Sequence, residues 1–194
     1  MSMQRPSDTG ETGPRPIAAP TAEDRAVPLP NLCGDFSMRI DRNGTWYYRG
    51  SPIGRHALVR LFSTVLRRDA NGLYWLTTPV ENGQIDVEDA PFIGVELIVE
   101  GAGRNQIIHI RTNVDDIVRI DKEHPLRVAT APDTGEPRPY VFVRKGLEAR
   151  LARSVFYHLV DLGEAEVAGL GDGSEGAFGV WSAGQFFPLG KMPS

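Results

Sequence analysis

The stretch TWYYRGSPIGRHALVRLF, residues 45–62, decides the fold. Thr45 to Tyr48 is a run of aromatic and β-branched residues, which fit a pleated, half-buried surface. Upstream, FSMRI alternates apolar with polar residues, and the Asn-Gly of DRNG suits a turn with positive φ. These segments read as a β-hairpin. Downstream, Ser51 is placed as a helix N-cap with Pro52 at the first helical position, where its missing N–H costs little. Ile53, Ala57, Leu58, Leu61, Phe62, Val65 and Leu66 then recur at helical spacing. The helix is expected to stop near Asp69, before Asn71-Gly72.

The same plan returns later in the chain. At an offset of 94 residues, Trp46-Tyr47-Tyr48 falls on Tyr140-Val141-Phe142, Ile53 on Leu147, Ala57 on Leu151 and Phe62 on Phe156. Few residues are identical, so the repeat is one of pattern: strand, turn, aromatic strand, basic corner, amphipathic helix. Between the copies, LYWLTTPV, FIGVELIVEG, QIIHIRTN and PLRVATA read as strands, and GVWSAGQFFPLG reads as a closing hairpin. The expected fold is α+β. It has two similar β-rich halves, each an antiparallel sheet with one main helix. Residues 31–100 and 101–194 make the two halves, preceded by a tail, 1–30, whose six prolines and few large apolar residues are read as disordered.

Composition narrows the function classes. The chain has 194 residues, 41% hydrophobic, with no apolar run of membrane-spanning length and no apolar core of a signal peptide, so a cytoplasmic location is expected. Cys33 is the one cysteine, which excludes an intrachain disulfide, and it is read as a small apolar residue. A net charge of −4 argues against non-specific coating of nucleic acid. Charge is nevertheless segregated. Residues 49–68 hold five arginines and no acid, 81–100 hold six acids and no base, and 138–158 return to basic.

Short motifs give little chemistry. GDGSEG, residues 171–176, matches a dinucleotide fingerprint letter for letter, but it follows a helix and carries two acids. DRNGT lacks the remaining ligands of a calcium loop. His56, His109, His124 and His158 are scattered. No catalytic residue is assigned, and neither a metal nor a cofactor is expected.

The basic corners carry the sharper signal. Arg49 ends a strand and Arg55 enters the first helical turn; Arg144 and Lys145 end a strand, and Arg150 follows in the next predicted helix. A cation near a helix N-terminus is locally unfavourable, and a recruited phosphate or carboxylate relieves this. Internal pairing with the acidic segment 81–100 is the structural alternative. The candidate ligand-binding residues are therefore Arg49, Arg55, Arg144, Lys145 and Arg150, with Trp46, Tyr48 and Tyr140 placed to stack on a base.

Two segments, GTWYYRGSPIGRHALVRLFSTVLRRDANGLYWLTTPVENGQIDVEDAPF and PYVFVRKGLEARLARSVFYHLV with the later GVWSAGQFFPLG, resemble a bacterial family of uncharacterised proteins, domain of unknown function 1285. The likeness runs from about Gly34 to Gly190. It implies a duplicated core, a C-terminal half similar to a pleckstrin-homology-like fold, a nucleotide-like or nucleic-acid-like ligand between the halves, and a role in signal transduction. It supplies no activity and no catalytic residues. The reading is a non-enzymatic binding or sensor module for an anionic ligand in the cleft between its halves. The alternatives are an enzyme acting on a phosphorylated substrate, with Glu81 or Glu88 as base or metal ligand, and a protein-binding scaffold.

Overall fold

A computed structural model describes residues 32–166 and 177–191, within a unit spanning residues 31–194. The expectations for the proline-rich tail, the Cys33 side chain and GDGSEG fall outside what is described. The chain runs through β1 (Leu32–Ile40), β2 (Trp46–Tyr48), β3 (Ser51–Pro52), α1 (His56–Val65), β4 (Leu66–Arg68), β5 (Tyr74–Thr77) and β6 (Glu81–Val87). It continues through β7 (Phe92–Glu100), β8 (Ile107–Thr112), β9 (Ile117–Arg119), β10 (Leu126–Thr130), β11 (Pro137–Arg144), β12 (Leu147–Leu151) and α2 (Arg153–Asp161). β13 (Glu164–Glu166), β14 (Ala177–Ser182) and β15 (Gln185–Lys191) close the described chain.

The protein is α+β and rich in strand. The first six strands make one sheet in the order β3-β2-β1-β6-β5-β4; the next six make a second in the order β9-β8-β7-β12-β11-β10. The two orders are the same, third-second-first-sixth-fifth-fourth. Within each half the chain folds as two three-stranded meanders. Their inner strands pair in parallel, β1 with β6 and β7 with β12, while the other pairs are antiparallel. The expectation of antiparallel sheets is thereby corrected: both are mixed. Gly94 allows the second parallel contact, because a Cβ there would collide with Leu151 and Ile110.

The repeat also maps differently from the 94-residue offset. Strand order equates β1 with β7 and β5 with β11, whereas the offset equates β2 with β11. α1 joins the two meanders of the first half, while α2 follows the last strand of the second sheet. Both basic corners turn out to be hairpin turns. Arg49 (φ 48) with Gly50 (φ 81), and Lys145 (φ 48) with Gly146 (φ 77), have the paired positive φ of a two-residue turn. Ser51-Pro52 is therefore an edge strand, a position that tolerates proline, and the N-cap of α1 is Arg55. LEARL, expected as helix, is β12: Leu147, Ala149 and Leu151 alternate inward, and pairing with β7 rewards that period.

One core serves both sheets. Ile40, Trp46 and Leu66 from the first, and Phe92, Ile108, Val141 and Leu147 from the second, are all but completely buried in one cluster. The β14–β15 hairpin joins the second sheet through buried Ser182, whose hydroxyl donates to the Ile120 carbonyl at 2.6 Å and accepts the Ile108 N–H at 3.0 Å.

In the second half, the six residues between β9 and β10 fold around Asp121. Its Oδ1 accepts the N–H groups of Glu123 and His124, each at 2.9 Å, and Oδ2 accepts Arg119 Nε at 2.8 Å. Burial alone would raise the carboxyl pKa, but the hydrogen bonds from Arg119, His124 and Glu123 outweigh it and hold it at about 2. An unfolded aspartate titrates near 4, so this stabilisation is whole at neutral pH and disappears as pH falls from about 4 through 2. It amounts to about 1–2 kcal/mol. Asp121→Asn should lower urea-unfolding stability by that amount at pH 7, with the difference from wild type closing toward pH 2.

Candidate functional site

The expected ligand residues divide into three groups. Trp46 and Tyr140 belong to the interior. Trp46 is 1% exposed and stacks on Phe62, with ring centroids 6.3 Å apart, so it has no face for a base. Tyr140 is 7% exposed, and its hydroxyl donates to Asp89 Oδ1 at 2.7 Å. Burial and the Asp89 carboxylate push its pKa up to about 12.

Arg144 and Arg150 form a latch between the two halves. Arg144 pairs with Asp116, donates to the Ser63 carbonyl on α1 at 3.0 Å and lies over the Phe92 ring. Arg150 has Nε 3.2 Å from Asp89 Oδ2 and donates from Nη2 to the Arg42 carbonyl at 2.5 Å. Around them, Asn113 donates to the Gly44 carbonyl at 3.2 Å, His56 Nε2 lies 3.0 Å from the Asn113 carbonyl, and Asp115 faces Arg60 at 3.4 Å. Gly44 must be glycine here, since a Cβ would run into Ile93 and Asn113. The two basic turns do not make one cleft. Gly146 sits against Arg68 on edge strand β4, whereas Arg49 and Gly50 lie at the opposite edge, between β2 and β3.

Tyr48, Arg49, Arg55 and Lys145 are exposed. Of these, Tyr48 and Arg49 open onto a cavity of about 520 Å³ between α1 and the first sheet. Its walls include Phe36, Met38, Ile53, Leu58, Phe62 and Leu76, and Asp35, Ser37, Arg49, Thr78 and Glu81 also line it. Leu58, Phe62 and Val65 lie on one side of α1 yet stay only half-buried or nearly so, because they face this hollow.

A bulge in β1 shapes the cavity. Asp35 pairs with Gln84 and Arg39 with Asp86, so Phe36, Ser37 and Met38 oppose Ile85 alone. Ser37 adopts φ 51; its N–H donates to Asp35 Oδ1 at 2.6 Å and its carbonyl accepts the Arg49 N–H at 2.8 Å. The bulge thus ties the Arg49 turn to the cavity wall. Gly83 leaves room for the Phe36 ring, which a Cβ there would overlap. The Arg49 guanidinium lies 5.1 Å from the Tyr48 ring centroid and has no acidic partner among the described residues.

Among the described residues no group of three or more His, Cys, Asp or Glu side chains has metal-holding geometry. The helical spacing of Leu58 and Phe62 marks an apolar face without showing that a hollow lies beneath it, so the cavity walls were not legible in the sequence.

Comparison with known proteins gives a family. Residues 28–90 match the N-terminal domain model, and residues 91–189 the C-terminal domain model, of a protein of unknown function, DUF1285. The chain belongs to the DUF1285 family. It is similar to the crystal structure of a DUF1285 family protein from Silicibacter pomeroyi DSS-3, at 46% identity over 86% of this chain and 88% of that one, with a TM-score of 0.74. A second, from Shewanella baltica OS155, is 25% identical over 70% of this chain and 92% of that one, with a TM-score of 0.51. No curated protein matches the chain.

The division between latch and cavity is measurable. Arg144→Ala leaves Asp116 and the Ser63 carbonyl without their charged partner and should cost about 1–3 kcal/mol in urea unfolding. Arg49→Ala should change stability by less than about 0.5 kcal/mol. Gly83→Ala should lose about 1–3 kcal/mol, because Phe36 must move to admit the methyl group.

Proposed function

We propose that this member of the DUF1285 family is a non-enzymatic binding module, acting as a sensor, whose small-molecule ligand occupies the cavity beneath α1 and sets an anionic group against Arg49. The observation that carries this is an apolar hollow of about 520 Å³ with an arginine free of acidic partners among the described residues. Small-molecule sites typically measure roughly 300–1,000 Å³, with mostly apolar walls and a few polar groups that fix orientation.

The chemistry of the lining narrows the expected nucleotide-like ligand. Arg49 is the one cation on it among the described residues, and a polyphosphate or a nucleic-acid backbone calls for several. A compact apolar body with a single anionic group suits the site better. The proposed site also lies within the first half, since Arg144 and Arg150 are engaged at the junction between the halves. A sensor role is supported by α1 itself. Leu58 and Phe62 face the cavity, while His56, Arg60 and Ser63 contact the second half, so a shift of α1 on binding would be felt across the junction. An enzyme is less well supported: Glu88 is already paired with Arg39 and Arg42.

1-Anilinonaphthalene-8-sulfonate, an apolar body with one anionic group, tests the site. Expected is saturable one-to-one binding with enhanced fluorescence, weakened about tenfold by Arg49→Gln and abolished by Val65→Trp, which fills the cavity. Circular dichroism and melting temperature serve as fold controls. Equal fluorescence titrations for all three well-folded proteins would overturn the proposal.

A further inference from the structure

The same cavity is lined by an acid beside its arginine, Glu81. Charges of both signs line one opening, yet no ion pair joins Arg49 to Glu81. Asp35, also at the rim, is in register with Gln84 and Trp75, on the face of the sheet away from Leu76 and Gly83. Each cavity charge is held by a contact of its own. Glu81 is fixed through its backbone, its N–H donating to Thr78 Oγ1 at 3.0 Å and its carbonyl accepting the Thr78 N–H at 2.8 Å. Arg49 leans on the Tyr48 ring.

A ligand with only a carboxylate would meet Arg49 favourably and Glu81 unfavourably; one with only an amine would meet the reverse. A head group carrying both charges, joined to an apolar body, satisfies both positions. Resting on the cavity reading above, we infer that the ligand is a zwitterionic amphiphile of the apolar α-amino-acid class. Its carboxylate faces Arg49, its ammonium faces Glu81, and its side chain lies against Phe36, Met38 and Phe62. The volume admits a bicyclic aromatic side chain.

Isothermal titration of the full chain with L-tryptophan, indole-3-propionate, which lacks the ammonium, and tryptamine, which lacks the carboxylate, tests the inference. Tryptophan should bind about tenfold or more tighter than either analogue. Arg49→Gln should weaken tryptophan and indole-3-propionate about tenfold and tighten tryptamine. Glu81→Gln should weaken tryptophan and tryptamine and tighten indole-3-propionate. Indole-3-propionate binding as tightly as tryptophan would overturn the zwitterionic assignment and leave the anion-binding cavity standing. So would binding of the anilinonaphthalene probe with no response to any of the three indoles. Silence toward every compound, probe included, would remove the cavity reading as well.

Discussion

The parallel pairing of β1 with β6 is the constraint on which the candidate site depends. Two antiparallel meanders that meet through their inner strands leave β3 and β4 at opposite edges of the sheet. The chain must therefore travel from one edge to the other between Pro52 and Leu66. Five strand spacings of about 4.8 Å come to roughly 24 Å. Three extended residues and ten helical ones reach roughly 25 Å. The crossover fits with almost no slack, so α1 lies across the sheet, and any gap between helix and sheet becomes a hollow spanning the half. In the second half the equivalent connection is only six residues long and turns tightly at Asp121. The two edges of that sheet come closer together, and no helix joins its two meanders.

A polar junction fixes the two sheets against each other. Arg144, Arg150, Asn113 and Asp115 reach from the second half to the Ser63 carbonyl, the Arg42 and Gly44 carbonyls and Arg60. Several acceptors are backbone carbonyls, so these arginines satisfy main-chain groups at a helix and a turn as well as neutralising acids. Removing one guanidinium leaves several partners wanting at once, whereas a simple surface ion pair is worth at most about 1 kcal/mol. The segregated charge follows the same logic. The acidic segment supplies Glu88 to Arg39, Asp89 to Arg150 and Glu96 to Arg111.

Local grammar was legible and long-range pairing was not. DRNG and DANG each place an aspartate whose Oδ1 caps the N–H groups two and four residues on, at Asn43 and Thr45 and at Asn71 and Leu73. Turn chemistry alone identifies DRNG as a loop, but DANG reads as the stop of a helix running to about Asp69. Instead α1 ends at Val65, Leu66–Arg68 is β4, and DANG is the hairpin turn between β4 and β5. The helical spacing of α1 was plain too, but its buried residues are Val59 and Ser63, whereas Ala57 and Leu61 of the expected face are exposed. No residue announces that β1 will pair in parallel with β6, because that contact is settled by burial over the whole half. LEARLARSVFYHLV carries both a period of two and a period near four, and only the presence of β7 decides where strand gives way to helix. Periodicity also finds an apolar face without saying whether it is filled, which is why Phe62 read as core when part of it borders a cavity.

Arg49 shows how far strain can be used as an argument. Its positive φ costs an ordinary residue about 1 kcal/mol, which glycine or asparagine would avoid. Taken alone this means little, since Lys145 and Ala183 occupy the same place in their own hairpins at φ 48 and 50. The turn type accounts for the backbone in all three. What sets Arg49 apart is the setting of the turn: its N–H is tied to the bulged Ser37, and its residue lines an apolar hollow. Ala183 has no charge to present, and the turn of Lys145 packs, through Gly146, against Arg68 at the far edge of the first sheet. The backbone explains why a tight turn stands at each place; only the surroundings of Arg49 give its charge something to bind.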